Sequence, residues 1–259
     1  MEMIDKELVR IDDVSKIFYK GILKRSAGFK ALDGVTLSIK RGEILGVIGE
    51  SGSGKTTLGK LILGLLKPTS GTIVFADDGI IKKPVVQVIF QDPYDSLSHV
   101  MSVEDIVAEP YAIKHKGQVD MEKVQKAIES VGLTPVDDYI HKYPHQLSGG
   151  QRQRVAIARA IITEPDLIIA DEPISMLDAS IGVDILNLIL NLNERLGISF
   201  MFITHDIAAA SYVSHNIAVM NAGKIVEYGP RKKIIAECEH PYTRTLLAAA
   251  RGEVLAIVK

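Results

Sequence analysis

The sequence has one cysteine, Cys238, no tryptophan, and an aromatic content of only 5%. A lone cysteine can form neither an internal disulfide nor a cysteine-held metal cluster, so a reducing compartment is the simple expectation. So few rings offer no stacking platform for single-stranded nucleic acid. Neither sign of charge is in excess: 30 Lys and Arg face 32 Asp and Glu, a formal net charge of -2. That argues against a broad basic field for nucleic acid. Long hydrophobic runs are also missing. Ile44–Ile48, Leu167–Ala170 and Phe200–Ile203 fall far short of the roughly 20 apolar residues that cross a bilayer. The first ten residues carry several charges and no apolar core, unlike a secretory signal. The expectation is a soluble chain that reaches a membrane only through a partner.

What is present is a chain of 259 residues, 47% hydrophobic, large enough for a sizeable core. Ile44–Ile48, Val85–Phe90, Leu167–Ala170 and Phe200–Ile203 read as strands buried on both faces. Between them lie helical patterns, over Thr56–Leu66 and at Ile181, Ile185, Leu188, Ile189, Leu192 and Leu196. This alternation predicts a parallel sheet covered by helices. Leu8–Val14 and Val35–Ile39 read as antiparallel strands, and Ile217–Met220 and Lys224–Glu227 flank the hairpin signal Asn221-Ala222-Gly223. From about Ser102 to Tyr143 the pattern is charged and helical, with a helix over Met121–Val131 ending at Gly132, as for an inserted helical lobe.

Gly49-Glu50-Ser51-Gly52-Ser53-Gly54-Lys55-Thr56 fits the phosphate-loop pattern G-x-x-x-x-G-K-[ST], and it lies between a predicted strand and a predicted helix. The glycines let backbone N–H groups converge on phosphate oxygens, and the helix start adds partial positive charge. Lys55 is expected to reach the β- and γ-phosphates, Thr56 to ligate Mg²⁺, and Thr57 to reach the α-phosphate. Asp171 and Glu172 end a hydrophobic strand, where functional residues of such sheets gather. Two adjacent carboxylates repel each other, so a nearby divalent cation makes physical sense. Asp171 is expected to hold Mg²⁺ and Glu172 to polarise the attacking water. His205, at the end of another strand, is placed to sense the γ-phosphate. The other histidines read as surface or packing residues.

Leu147-Ser148-Gly149-Gly150-Gln151-Arg152 opens an apolar helical stretch, Val155–Ile162, and forms a second anion-binding helix start. It resembles the signature of the ABC transporter ATP-binding subunits. The resemblance implies that Ser148, Gly149, Gly150 and Gln151 contact ATP held by an opposite subunit, in a dimer with two ATP molecules at its seam. Further family motifs match in order. Gln91 looks like the Q-loop glutamine that links Mg²⁺ to the helical lobe. Ser175-Met176-Leu177-Asp178 looks like the D-loop, with Met176 in place of the common alanine and Asp178 carried over. Phe18 is similar to the aromatic that stacks on adenine; a core aromatic is the competing reading, and Tyr19 the neighbouring candidate. The fold implied is α/β: a P-loop NTPase (RecA-like) core with an antiparallel β subdomain and an inserted α-helical subdomain. Residues 1–90 and 160–259 would form the core and about 91–159 the helical part of one domain.

Gln91-Asp92-Pro93-Tyr94-Asp95-Ser96-Leu97, Ala108-Glu109-Pro110, Tyr143-Pro144-His145-Gln146 and His240-Pro241-Tyr242-Thr243 resemble the peptide-importer branch (dipeptide, oligopeptide and nickel importers). That resemblance implies an ATPase at the cytoplasmic face of the membrane, bound to transmembrane permease subunits and indirectly to an extracellular substrate-binding protein. Peptides are the implied cargo, with nickel or oligosaccharides as alternatives and a soluble ABC ATPase as the rival. The His240–Thr243 box has no chemical role legible in sequence, and its plain reading is a capped helix start. Members often carry clustered cysteines in a longer tail; with Cys238 alone, no iron–sulfur cluster is expected here.

Overall fold

The structure, a computed structural model, describes residues 6–19, 28–76 and 84–250. In chain order the elements are β1 (Glu7–Phe18), β2 (Phe29–Lys40), β3 (Ile44–Ile48), α1 (Lys55–Ile62), β4 (Ser70–Phe75), β5 (Val86–Ile89), α2 (Pro93–Ser96), α3 (Val103–Lys114), α4 (Met121–Ser130), α5 (Gly149–Ile161), β6 (Leu167–Asp171), α6 (Ala179–Leu196), β7 (Ser199–Thr204), α7 (Ile207–Val213), β8 (Asn216–Asn221), β9 (Lys224–Pro230), α8 (Arg231–Glu237) and α9 (Pro241–Ala250). They fall into two compact units. One is built from the described residues up to 76 together with 199–250, the other from 84–198.

In the first unit β1 is the centre of an antiparallel sheet, ordered β2-β1-β4. A second sheet runs β7-β3-β8-β9, with β3 parallel to β7 and β8, and β9 antiparallel at the edge. β3 and β7 are buried at every residue, as the apolar runs Ile44–Ile48 and Phe200–Ile203 predict. The β8–β9 hairpin turns through Ala222 (φ 46) and Gly223 (φ 80). Positive φ at both central residues is the turn geometry that matches strand twist.

The second unit pairs β5 with β6 in parallel and carries α2 to α6. The helical stretch predicted in its middle is there, including α4 with Gly132 just beyond it. Caps mark the helix starts. Ser102 and Asp105 close a reciprocal box at α3, and Asp120 accepts from the Lys123 N–H at α4.

One expectation from the sequence is corrected. α1 stops at Ile62 rather than Leu66. The Gly64 and Leu65 N–H groups turn back onto the Leu61 and Lys60 carbonyls, which ends the helix in a Schellman motif. β4 was not foreseen. It is mostly exposed, and its order comes from backbone pairing with β1, not from an apolar stripe.

Candidate functional site

Register brings the phosphate-loop residues to one edge of the first unit. Ile48, the last residue of β3, lies opposite Thr204 of β7 and Val219 of β8. Gly49 and His205 therefore leave the sheet at the same end, beside Met220. The loop is moulded on this bed. A Cβ on Gly49 would lie 2.2 Å from the Met220 carbonyl oxygen, and one on Gly54 would lie 2.6 Å from that of Ala31. Gly54 also has φ 107, a conformation costly for any residue with a side chain. The hairpin turn completes the seat: the Gly223 N–H donates to the Ser53 carbonyl over 3.0 Å, and the Asp33 N–H donates to the Gly223 carbonyl over 2.9 Å. Sequence reading missed this support, because Met220 and Gly223 approach the loop only through the sheet.

Lys55 is only 7% exposed. Its ammonium donates to the Gly49 and Glu50 carbonyls at 2.7 and 2.8 Å. A buried cation is thus held inside the loop, where its charge suits a phosphate. Ser53 is buried, Gly52 and Thr57 are partly or fully accessible, and Ser51 and Thr56 are exposed. No side-chain cap closes the start of α1. His205 is exposed, directly before Asp206, which accepts from the Ala209 N–H at the start of α7. Phe18 is 40% exposed and lies under the Lys16 ammonium at 5.2 Å, and Tyr19 is 43% exposed. Neither ring is in the core, so the competing reading of Phe18 as a core aromatic is set aside.

Two further histidines have structural work in this unit. Nδ1 of His215 accepts the Ile44 N–H at the start of β3, and Nδ1 of His240 accepts the Tyr242 N–H.

In the second unit, Ile89 of β5 lies opposite Ala170 of β6. Gln91, Asp171 and Glu172 accordingly emerge at one sheet edge, Gln91 exposed and the carboxylates half-buried. Glu172 has φ 52, an uncommon conformation for a residue with a side chain. Its carbonyl accepts from the Ser175 N–H and hydroxyl at 3.2 and 3.0 Å, fixing the turn that leads to Asp178. Asp178 stands before α6 without capping it through its side chain.

The signature residues start α5. The Ser148 hydroxyl accepts from the Gln151 N–H at 3.2 Å, and the Gln151 side-chain carbonyl accepts from the Ser148 N–H at 3.0 Å. Gly150 is held against α6, since a Cβ there would lie 2.6 Å from Cγ2 of Ile181. Arg152 is buried; it donates to the Pro144 carbonyl at 3.0 Å and to the Tyr94 hydroxyl, and its guanidinium lies 3.6 Å from the centre of the Tyr94 ring. This arginine ties the segment after Gln91 to the segment before Ser148. The sequence pattern carried no sign of that tie.

Residues 32–175 match the family model described as ABC transporter. The oligopeptide transport ATP-binding protein OppF of Streptococcus mutans is 44% identical over 94% of this chain and 82% of its own length. The dipeptide transport ATP-binding protein DppF of Haemophilus influenzae is 38% identical over 89% of this chain and 73% of its own. Among solved structures, the ATP-binding cassette MJ0796, seen as a dimer in a post-hydrolysis state with ADP and Pi, superposes with a TM-score of 0.73. It is 31% identical, over 86% of this chain and 99% of that one. CbiO1 of Clostridium perfringens, part of the transporter complex cbiONQ, gives a TM-score of 0.76 at 31% identity, over 90% of this chain and 92% of its own. The chain belongs to the ABC transporter family, as one of its ATP-hydrolysing cassettes.

Proposed function

We propose that this ATPase powers peptide uptake, working at the cytoplasmic face of a membrane with permease subunits and, through them, an extracellular binding protein. The observation that carries the proposal is the 44% identity to an oligopeptide transport ATP-binding protein over 94% of the chain. Among the described residues no helix is long and apolar enough to cross a membrane.

A second ATPase subunit is part of the proposal. One chain carries a phosphate loop on one unit and a separate glycine-rich helix start, Ser148-Gly149-Gly150-Gln151, on the other. Two copies placed head to tail would supply each ATP with both. The loop residues Gly49 to Thr57 would hold the phosphates, with Lys55 exchanging its carbonyl partners for phosphate oxygens. Phe18 would stack on the adenine, and Asp178 would line the seam between the subunits. Thr56, Gln91 and Asp171 present the hard oxygen donors that suit Mg²⁺, which when bound neutralises phosphate charge. Glu172 would orient and deprotonate the attacking water, with His205 holding it in line.

Replacing Glu172 by Gln is expected to lower turnover by about 10²- to 10⁴-fold while ATP binding persists. Wild-type turnover in that variant would remove Glu172 from the chemistry. The cargo is tested with the complex purified together with its membrane subunits and binding protein. Peptides should stimulate ATP hydrolysis, and stimulation by Ni²⁺ or an oligosaccharide instead would replace the peptide assignment.

A further inference from the structure

The box His240-Pro241-Tyr242-Thr243, for which the sequence offers no chemical reason, reaches the phosphate loop. The Glu50 N–H donates to the Tyr242 hydroxyl over 3.1 Å, across 192 positions of sequence. This N–H belongs to the same planar peptide as the Gly49 carbonyl, which accepts from the Lys55 ammonium at 2.7 Å. In a trans peptide the two groups point in opposite directions. Tyr242 thus holds one side of the first peptide of the loop while Lys55 holds the other. Once Lys55 turns to a phosphate, Tyr242 is the contact that still sets the orientation of that peptide.

The tyrosine is itself held in place. The two carboxylate oxygens of Glu227, on β9, accept the N–H groups of Glu239 and His240 at 2.8 and 3.2 Å. His240 in turn accepts the Tyr242 N–H at 3.2 Å. Lys233 pairs with Glu239 at 2.9 Å. Tyr242, Leu246 and Leu247 pack in the cluster that contains Ile48, the residue immediately before Gly49. The start of α9 is therefore clipped to β9 and seated on the end of β3, with the hydroxyl aimed at the loop.

We propose that Tyr242 is a positioning residue for nucleotide binding, setting the first peptide of the phosphate loop through its hydroxyl, with Glu227 as the clip that holds it there. The inference rests on residues 49–56 being the nucleotide loop.

The test uses the full chain and ADP, titrated by calorimetry, with amide hydrogen exchange followed at Glu50. Tyr242→Phe keeps the ring and deletes the acceptor. It should weaken ADP binding by about two- to five-fold, the worth of one exposed hydrogen bond. It should also speed exchange at Glu50, lower the nucleotide-free melting temperature by no more than about 2–4 °C, and raise KM for ATP with little change in kcat. Glu227→Gln, which leaves the hydroxyl in place but weakens the clip, should shift affinity in the same direction by less. Unchanged affinity in Tyr242→Phe, or unchanged Glu50 exchange, overturns the role. Should the wild-type chain itself bind no ADP, the reading of the loop falls, and the role of Tyr242 with it.

Discussion

α1 and α5 both begin at glycines where an anion could sit, and they are built by opposite means. At α1 the helix starts from Gly54 with φ 107 and no side-chain cap, pressed against the Ala31 carbonyl. At α5 the glycines have ordinary negative φ, and the start is closed by the reciprocal box of Ser148 and Gln151. The first start is shaped by backbone against backbone, which cannot yield. The second is shaped by side chains, which can adjust. A loop that must wrap phosphates needs fixed N–H groups, and backbone packing fixes them. A helix start that meets its ligand only when another subunit arrives can stand capped and well formed beforehand.

Substitutions break this contrast in a definite order. Gly54→Ala forces a left-handed alanine into a carbonyl oxygen, and it should remove measurable nucleotide binding while lowering stability by about 2–4 kcal/mol. ADP calorimetry and chemical denaturation read both effects. Gly150→Ala meets the side chain of Ile181, with Cγ2 nearest at 2.6 Å. Its cost should be about 1–3 kcal/mol. It should be partly restored in the double variant with Ile181→Ala, whereas no partner change rescues Gly54→Ala. Ser148→Ala removes the cap alone, for about 1 kcal/mol, seen as a fall of roughly 2–4 °C in Tm.

The smallest effect sharpens the comparison with a third helix start, α9, whose approach is held by a carboxylate on β9. Burial acts to raise the pKa of Glu227. Against it, the Thr243 hydroxyl, close but outside strict hydrogen-bond geometry, and the N–H groups of Glu239 and His240 hold the carboxyl below its ordinary range. A carboxyl depressed on folding stabilises above its unfolded pKa of about 4.3, and that contribution is lost as pH falls through the lower folded value. Melting followed from neutral pH down through the carboxylate range should show a slightly steeper acid loss in the wild type than in Glu227→Gln.

The local motifs of this chain are more legible in sequence than their supports. The phosphate loop, the strand ending in Asp171 and Glu172, and the capped start at Ser148 are local patterns, each set by neighbours within a few residues. α6 was also plain, because its apolar residues recur at helical spacing and bury one face. The seat of the loop was invisible: Met220, Gly223 and Tyr242 meet it across the sheet, and no local period records such an approach. β4 escaped notice for the complementary reason, since backbone pairing with β1 orders it while its side chains stay largely in solvent. Gly150 shows the same split. Its place in a helix start was readable, but its packing against Ile181 was not.

The contact between Glu50 and Tyr242 spans 192 positions, and that distance has a meaning in time. At about 5–20 residues per second, synthesis delivers Tyr242 roughly 10–40 s after the loop has left the ribosome. During that interval the emerging loop has its sequence but neither the hairpin turn at Gly223 nor the tyrosine that seats it. A nascent chain arrested before β8 should therefore retain little ADP, and nucleotide capture becomes a late event of the chain's biogenesis.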